Sequence, residues 1–546
     1  MISLFIILFL IYLSLVGYSL FFKNIIIKSH KNIFYNLDIF YGIFLVSLIL
    51  IFLNFFVPLI FFTYIFFPVG IFLLSIFKKK FIFNNNFYFF GLILFFFIFI
   101  SYSNSNLLAG DTPFYHLQNI KWLSNYKISF GLANLEPRYG LNSLWHILIS
   151  LYNITLFNIN PIYHFNLIIY SIFLSEIFNK KNFENFKISY VYLYCTGAFL
   201  LIFSLIHPMI NGSIFLNLGS PEVDTVCMIL FILTSFVFLK NDKFEDQNNS
   251  NILIILVTLC LLTKISYSIT ILFLIFLLFK KRNFLKIKIL PYIVIINILW
   301  IFRNLIISGC ALFPIRMTCF NFPWSYDKND IDLFSNIIQS FARDAPYRSK
   351  YMDFDYTLNS YDWVAPWFKS YFLETSILVI SLTILILSLI FIILKYLIFK
   401  KIEIDTNAII LILICFFGII IWLKAPDVRF GYGFIISLST ILVALSFKNL
   451  NLSTKIINRN LLNFIFLLII FSNIVKNHSN FDKINSNIQY NFNYNNFVLL
   501  SKTNGYEIYK PPPTFSCGFF QDICVYHDGN YNILSKYKYL TFYKLK

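Results

Sequence analysis

A chain of 546 residues that is 59% hydrophobic and only 12% charged, with 70 Phe, lacks the polar surface of a soluble protein, in which about a quarter of residues are charged. A single soluble domain, a disordered chain and a small disulfide-stapled protein are excluded. Many apolar runs approach the roughly 20 residues needed to cross a bilayer, which marks a polytopic membrane protein. The net charge of +18 does not indicate nucleic acid here, because the lysines flank apolar runs, where they set orientation.

In chain order, the expected spans are 2–22, 38–56, 59–77, 86–102, 160–178, 188–206, 222–240, 251–263, 266–279, 289–308, 372–394, 406–423, 430–447 and 461–475. Two of them, 251–263 and 266–279, are short enough to be half-helices or a hairpin. The expected architecture is an all-α polytopic membrane protein of about fourteen transmembrane spans with outward-facing loops and a small C-terminal β-containing extramembrane domain. It divides into N-terminal spans (1–102), an outer loop with interfacial helices (103–159), a transmembrane core (160–308), a large outer loop (309–371), C-terminal spans (372–475) and an outer tail (476–546). Basic residues concentrate in the loops around Lys23, Lys78, Lys180, Lys240, Lys281, Lys400 and Lys455, so those loops are expected on the cytoplasmic side and both termini outside. Residues 141–159 are apolar but interrupted, and are expected as an amphipathic helix lying in the outer surface. In the tail, Asn504-Gly505 between two β-prone runs predicts a hairpin, since that pair supplies a positive φ.

Ionisable residues near apolar spans are costly and mark function. Those near spans are Asp111, Glu136, Arg138, Glu222, Asp224, Lys264, Arg303, Asp427 and Arg429, and the expected topology puts all of them on the outer side. Asp111 precedes Thr112-Pro113, so it serves either as a helix cap or as a general base toward a hydroxyl. His116 lies five residues on, off the face of Asp111 on an α-helix; it is either a satisfied polar group or a contact to substrate. Glu136 and Arg138 are expected either to pair with each other or to act separately, Glu136 assisting the base and Arg138 gripping a phosphate. Glu222 and Asp224 suit the first turn of a helix, or else they orient sugar hydroxyls or bind a divalent ion. Lys264, Arg303 and Arg429 either snorkel to headgroups or form a phosphate site, Arg supplying a fork and Lys a point charge. No His/Cys spacing suggests zinc.

Four cysteines (Cys195, Cys227, Cys260, Cys415) fall in spans and read as small apolar residues. Cys310 and Cys319 flank one outer loop, and Cys517 and Cys524 lie in the tail. Outside a reducing compartment, two local disulfides, 310–319 and 517–524, are expected, although sequence alone does not fix pairing. Asn211-Gly212-Ser213 is a glycosylation triplet that matters only in a eukaryote.

The ordered segments GDTPFYHLQNIKW, GLANLEPRYGLNSLWH, SPEVD, TKIS, RNLIISGCALFP and APDVRFGYGF, over residues 100–435, resemble an uncharacterised family of bacterial polytopic membrane proteins that look like GT-C glycosyltransferases. The chain departs from that family's pattern at Glu136, where a His is usual. In GT-C enzymes the key Asp usually follows the first span, whereas Asp111 follows the fourth. The resemblance implies an inverting glycosyltransferase of the bacterial inner membrane that takes a sugar from a polyprenyl-phosphate donor to a glycan or lipid acceptor outside. It needs no cofactor, with a divalent cation left open. Asp111 would act as base, with Lys264, Arg303 and Arg429 at the released phosphate. The outer loop 309–371, with Trp324, Trp363 and Trp367, would close over the acceptor or stack on sugar rings. The rival readings are a flippase or transporter of lipid-linked glycans, a glycan polymerase, and a scaffold. Transport needs polar groups along a path through the bilayer, and the sequence displays no clear pair near the inner face.

Overall fold

A computed structural model of the chain describes residues 1–28, 36–77, 85–103, 111–156, 159–179, 188–206, 219–241, 246–281, 287–344, 350, 352–369, 376–399, 405–449, 467–468, 471–472, 496–512, 516–518, 520, 522–526, 531–536 and 539–544. The expected span 461–475 lies almost wholly outside these, as do the triplet 211–213 and the basic residues Lys78, Lys180, Lys400, Lys455 and Arg459.

Helices dominate: α1 (Ile2–Phe21), α2 (Ile39–Leu53), α3 (Ile60–Phe77), α4 (Asn85–Ser103), α5 (Leu117–Asn125), α6 (Leu144–Ser150), α7 (Asn166–Ile177), α8 (Ile188–Ile206), α9 (Asp224–Lys240), α10 (Gln247–Thr263), α11 (Ile271–Lys280), α12 (Leu290–Ser308), α13 (Lys328–Arg343), α14 (Val364–Phe368), α15 (Ser376–Phe399), α16 (Thr406–Trp422) and α17 (Val428–Asn449). Among the described residues, five helices are long and apolar enough to cross a membrane: Ile2–Ile26, Asn36–Leu53, Ile60–Phe77, Leu290–Ser308 and Val428–Ser446. The Ile60–Phe77 and Leu290–Ser308 helices are mostly exposed, with Phe61, Tyr64, Phe72, Val294 and Phe302 on the surface, an apolar face that only lipid or protein would cover. The Asn36–Leu53 and Val428–Ser446 helices are mostly buried inside the bundle.

Two expected elements differ. In place of a span over 160–178, a 3-10 turn at Pro161–His164 leads into α7, which has only 12 residues, about 18 Å of rise against a hydrocarbon layer of about 30 Å. The surface helix expected within 141–159 is α6, and every residue of it from Leu144 to Ser150 is buried. Trp145 Nε1 donates to Asn166 Oδ1 at 2.7 Å, which holds α6 against the start of α7 in the interior. Likewise α9 begins at Asp224, leaving Glu222 in the loop before it.

α1 crosses α3 and α2 at small residues. A methyl group built on Gly17 would stand 1.8 Å from the carbonyl oxygen of Gly70, and one on Gly42 would stand 2.1 Å from that of Leu15. The absence of side chains lets the backbones approach, and hydrogen bonds then add to the packing: Ser14 Oγ donates to Phe67 O at 3.1 Å and Tyr18 OH to Phe66 O at 2.8 Å. Gly17→Ala is therefore expected to lower stability by about 1–3 kcal/mol through overpacking. Gly91→Ala, whose methyl meets nothing nearer than Phe9 at 3.7 Å, is expected to be neutral or to stabilise by up to about 1 kcal/mol. Thermal unfolding of the purified protein in detergent measures both, and equal shifts would mean that α1 and α3 are not in backbone contact.

The tail forms two small sheets. β1 (Val498–Thr503) and β2 (Tyr506–Lys510) pair antiparallel around Asn504-Gly505, both at positive φ, and β3 (Ile523–Cys524) lies parallel to β2. β4 (Tyr531–Lys536) and β5 (Tyr539–Lys544) form a second hairpin. Among the described residues the tail does not form a core of its own. Ile508, Ile523, Val525, Ile533, Leu540 and Phe542 pack with Trp122, Ile128, Leu132, Leu135 and Tyr139, so the strands and the segment carrying Asp111 and Glu136 bury one another's apolar faces.

Candidate functional site

The segment after residue 110 does not begin as an ordinary α-helix. Residues Thr112–His116 form a π turn that leads into α5, and the Asp111 side chain makes no capping bond. Its carboxylate accepts from Arg429 Nη1 at 3.0 Å instead. The π turn also changes the side on which His116 falls. The backbone N–H of Leu117 reaches back five residues to Thr112 O, and with an i→i+5 repeat a residue five positions on returns to the same side. On that repeat His116 falls on the side of Asp111, contrary to the α-helical expectation.

Arg429, in the first turn of α17, gathers the carboxylate of its near neighbour Asp427 and two more from distant segments. Its Nε and Nη2 donate to Asp427 at 3.1–3.3 Å, and Nη1 stands 3.0 Å from Asp111 and 3.6 Å from Glu222. Asp111 alone in this group reaches solvent, its side chain 32% exposed against 1% for Glu222 and 3% for Asp427. Next to them Lys264, at the end of α10, pairs with Asp224 in the first turn of α9 and lies 3.9 Å from the centre of the Phe430 ring. The N-termini of α9 and α17 thus meet the acids with their positive ends. The loop that presents Glu222 is pinned by Asn166, whose amide donates to Ser220 O at 2.9 Å and Glu222 O at 2.7 Å; the hydroxyls of Thr112 and Ser220 also bond.

Burial raises the Asp111 carboxyl, but the Arg429 guanidinium, with His116 and Arg138 beside it, outweighs that and holds it down at about 2. Burial pushes Glu222 up to about 7, against the pull of Arg429. His116 is driven well below the ordinary histidine value by burial and by His146. Its ring lies 5.1 Å from that of His146, and among the described residues neither ring nitrogen of His116 has a hydrogen-bond partner. A buried polar group without a partner costs free energy, so His116 is poised to bond something that enters.

Glu136 and Arg138 pair with each other: Arg138 Nε donates to Glu136 Oε1 at 2.6 Å, and Glu136 also caps the 3-10 turn Pro137–Gly140. Arg138 remains 28% exposed while Glu136 is buried. Arg303 does not join the cluster. Its Nε and Nη1 donate to Asn142 at 2.9 Å and Asn54 at 2.6 Å, which ties the end of α2 to α12. The three tryptophans are held in packing: Trp324 against Phe130 and Phe322, and Trp367 against Trp422 with its Nε1 donating to Pro426 O; Trp363 is buried beside Trp367. Cys310 is bonded to Cys319 and Cys517 to Cys524, while Cys195, Cys227, Cys260 and Cys415 are thiols. Among the described residues no group of His, Cys, Asp and Glu is arranged to hold a metal ion.

Sequence reasoning missed His146 and Asn166, whose only signal is a polar side chain in an apolar run, and took Thr112 only as part of a helix start. It also missed a second charged cluster. Lys23 and Asp38 are fully buried and paired at 2.6 Å, and Asn248 Nδ2 donates to the same carboxylate at 3.0 Å. Asn248 opens α10 and Lys264 follows its end, so the two clusters lie roughly 24 Å apart along that helix.

A bundle of apolar helices, with charged side chains gathered at the ends of three of them, defines a helical membrane protein with a buried ionic site open at Asp111. The chain belongs to the DUF8201 family, described as a domain of unknown function, whose model matches residues 1–436. No curated protein and no solved structure matches it.

Proposed function

We propose that the protein is a glycosyltransferase that moves a sugar from a polyprenyl-phosphate donor to an acceptor hydroxyl of a cell-envelope glycan or lipid at the outer face of the bacterial inner membrane, on a GT-C-like fold of about fourteen spans. The observation that carries this reading is the shared guanidinium. Arg429 holds the half-buried Asp111 and the buried Glu222 on one nitrogen, so an anion arriving at Arg429 must displace a carboxylate. A carboxylate held at about 2 is a weak base. When the donor phosphate takes Nη1, Asp111 loses its counter-ion, its basicity rises, and it accepts the proton of the attacking hydroxyl. The hydroxyl oxygen forms the bond to the anomeric carbon as the bond to the phosphate oxygen breaks. Arg429 and Lys264 stabilise the phosphate that leaves. Donor binding thus switches on the base.

The test is a mass profile of lipid-linked sugars and surface glycans with and without the chain. Loss of one sugar together with accumulation of its polyprenyl-phosphate donor is expected, and an unchanged profile would reject transfer. The same site predicts a pH dependence. Below about 7, Glu222 carries a proton and tolerates a phosphate beside Arg429; above it, the carboxylate repels the phosphate. Donor affinity is therefore expected to fall above that point, where Glu222 gains its charge and Lys264, lowered by burial to about 7, loses its own; Glu222→Gln is expected to remove only the part of the fall that Glu222 causes. Affinity titrations from pH 6 to 9 decide it.

A second reading, passage of a lipid-linked glycan across the bilayer, is favoured by the buried Lys23–Asp38 pair at the far end of α10. Transport needs groups at both ends of a path. Crossing of labelled glycolipid in vesicles without a new glycosidic bond would select it. A polymerase differs from the first reading only in the size of the group moved.

A further inference from the structure

The tail beyond the family match, which ends at residue 436, is built into the mouth of the site. Gly518 N donates to Pro113 O at 2.9 Å, and the Gln118 amide donates to Gly518 O at 3.1 Å and Cys517 O at 3.3 Å. Lys121 Nζ donates to Asp522 O at 2.8 Å and to Phe520 O. The loop closed by Cys517–Cys524 thus lies along the π turn and α5, the segment that sets Asp111. Tyr526 is fixed between the two: its hydroxyl accepts from Cys517 N at 2.7 Å and donates to Phe114 O at 2.9 Å.

This seats three aromatic rings around one guanidinium. The Arg138 carbon stands 5.4 Å from the Tyr115 ring, 5.6 Å from Tyr526 and 5.9 Å from Phe114. The Phe114 and Tyr526 rings are 5.5 Å apart. Phe114 is 38% exposed and the Arg138 side chain 28%. The Arg138 guanidinium acts on the Asp111 carboxyl electrostatically, and the Tyr115 ring lies 4.2 Å from that of His116, so the rim adjoins the ionic cluster. Aromatic faces suit a ligand with an apolar face, and a fork of N–H donors beside a carboxylate suits its neighbouring hydroxyls. A saccharide ring carries both: axial C–H groups on a face and hydroxyls at the edge.

We propose that Phe114, Tyr115, Arg138 and the tail's Tyr526 form a saccharide subsite that receives the acceptor, so that the C-terminal tail sets acceptor specificity. This rests on the transferase reading only for the word acceptor; the subsite itself is a matter of binding. The donor phosphate meets Arg429 behind it, and the acceptor hydroxyl comes forward to Asp111.

The experiment uses the full chain in nanodiscs, with the Cys517–Cys524 bond checked by mass spectrometry. The probes are neutral methyl glycosides of hexoses and N-acetylhexosamines, followed by saturation-transfer NMR. At least one is expected to bind, with the strongest saturation on ring C–H protons. Tyr526→Ala and Phe114→Ala should each weaken it about tenfold or more, while Tyr526→Phe, which keeps the ring, should stay within about threefold. Phe114→Ala decides if Tyr526→Ala loses the disulfide. Absence of binding by any probe, or unchanged affinity in Phe114→Ala, overturns the subsite. Transfer is scored separately with a polyprenyl-phosphate sugar. Ring-dependent binding without transfer keeps the subsite and drops the transferase. Transfer with an acceptor KM unaltered in Phe114→Ala drops the subsite and keeps the transferase.

Discussion

Asp111→Asn is expected to remove transfer while leaving the protein folded. The substitution keeps the size of the side chain and takes away its charge. Arg429 retains the bonds of Asp427 to Nε and Nη2, and Glu222 stays beside Nη1, so the guanidinium is not stranded. The amide cannot accept the proton of the attacking hydroxyl, and loss of a general base typically costs about 10²–10⁴-fold in rate. The measurement is the profile of lipid-linked sugars and surface glycans in a deletion strain carrying either the wild type or the variant, with membrane yield as the control for folding. A wild-type profile from Asp111→Asn would retire Asp111 from the mechanism.

Arg429→Gln is expected to act on the fold itself. Three carboxylates converge on that guanidinium, two of them buried. Breaking a buried ion pair by removing one partner costs about 3–5 kcal/mol, because the remaining charge has neither water nor counter-ion. That is a large share of the stability of an ordinary domain. The variant should yield little folded protein, and thermal unfolding in detergent should fall well below the wild type. Adding Asp427→Asn should return part of the loss, since it deletes one of the stranded charges. Wild-type stability of Arg429→Gln would mean that the carboxylates are not ionised around it. The pair of variants also separates roles: Asp111→Asn should lose chemistry without stability, and Arg429→Gln both.

The class of the protein follows from composition alone, because a chain this poor in charge has no way to cover itself in water. Several local features follow from near neighbours. Asn504-Gly505 predicts its hairpin, and Glu136 lies two residues from the Arg138 it pairs with. Apolar runs mark where helices form because each run's period and length are properties of adjacent residues. The lengths themselves were less legible, since α7 and α6 are short and buried where a full span and a surface helix were expected. Their boundaries depend on Asn166 and Trp145 finding each other across 21 residues.

What only the tertiary structure decided is which charged residues belong together. Asp111 and Arg429 are 318 positions apart in sequence, and no local pattern couples them. Arg303 has the same chemical signature as Arg429, yet it is bound by two asparagines elsewhere. A π turn of five residues put His116 on the side of Asp111, and hydrogen bonds from a segment some four hundred residues away brought Tyr526 to the mouth of the site. The physical reason is the same in each case. Hydrophobicity and turn chemistry act over a few residues and are written in their order. The neighbours of a buried charge are chosen by how whole helices pack, and an ionic site in a membrane protein exists only once its helix ends have met.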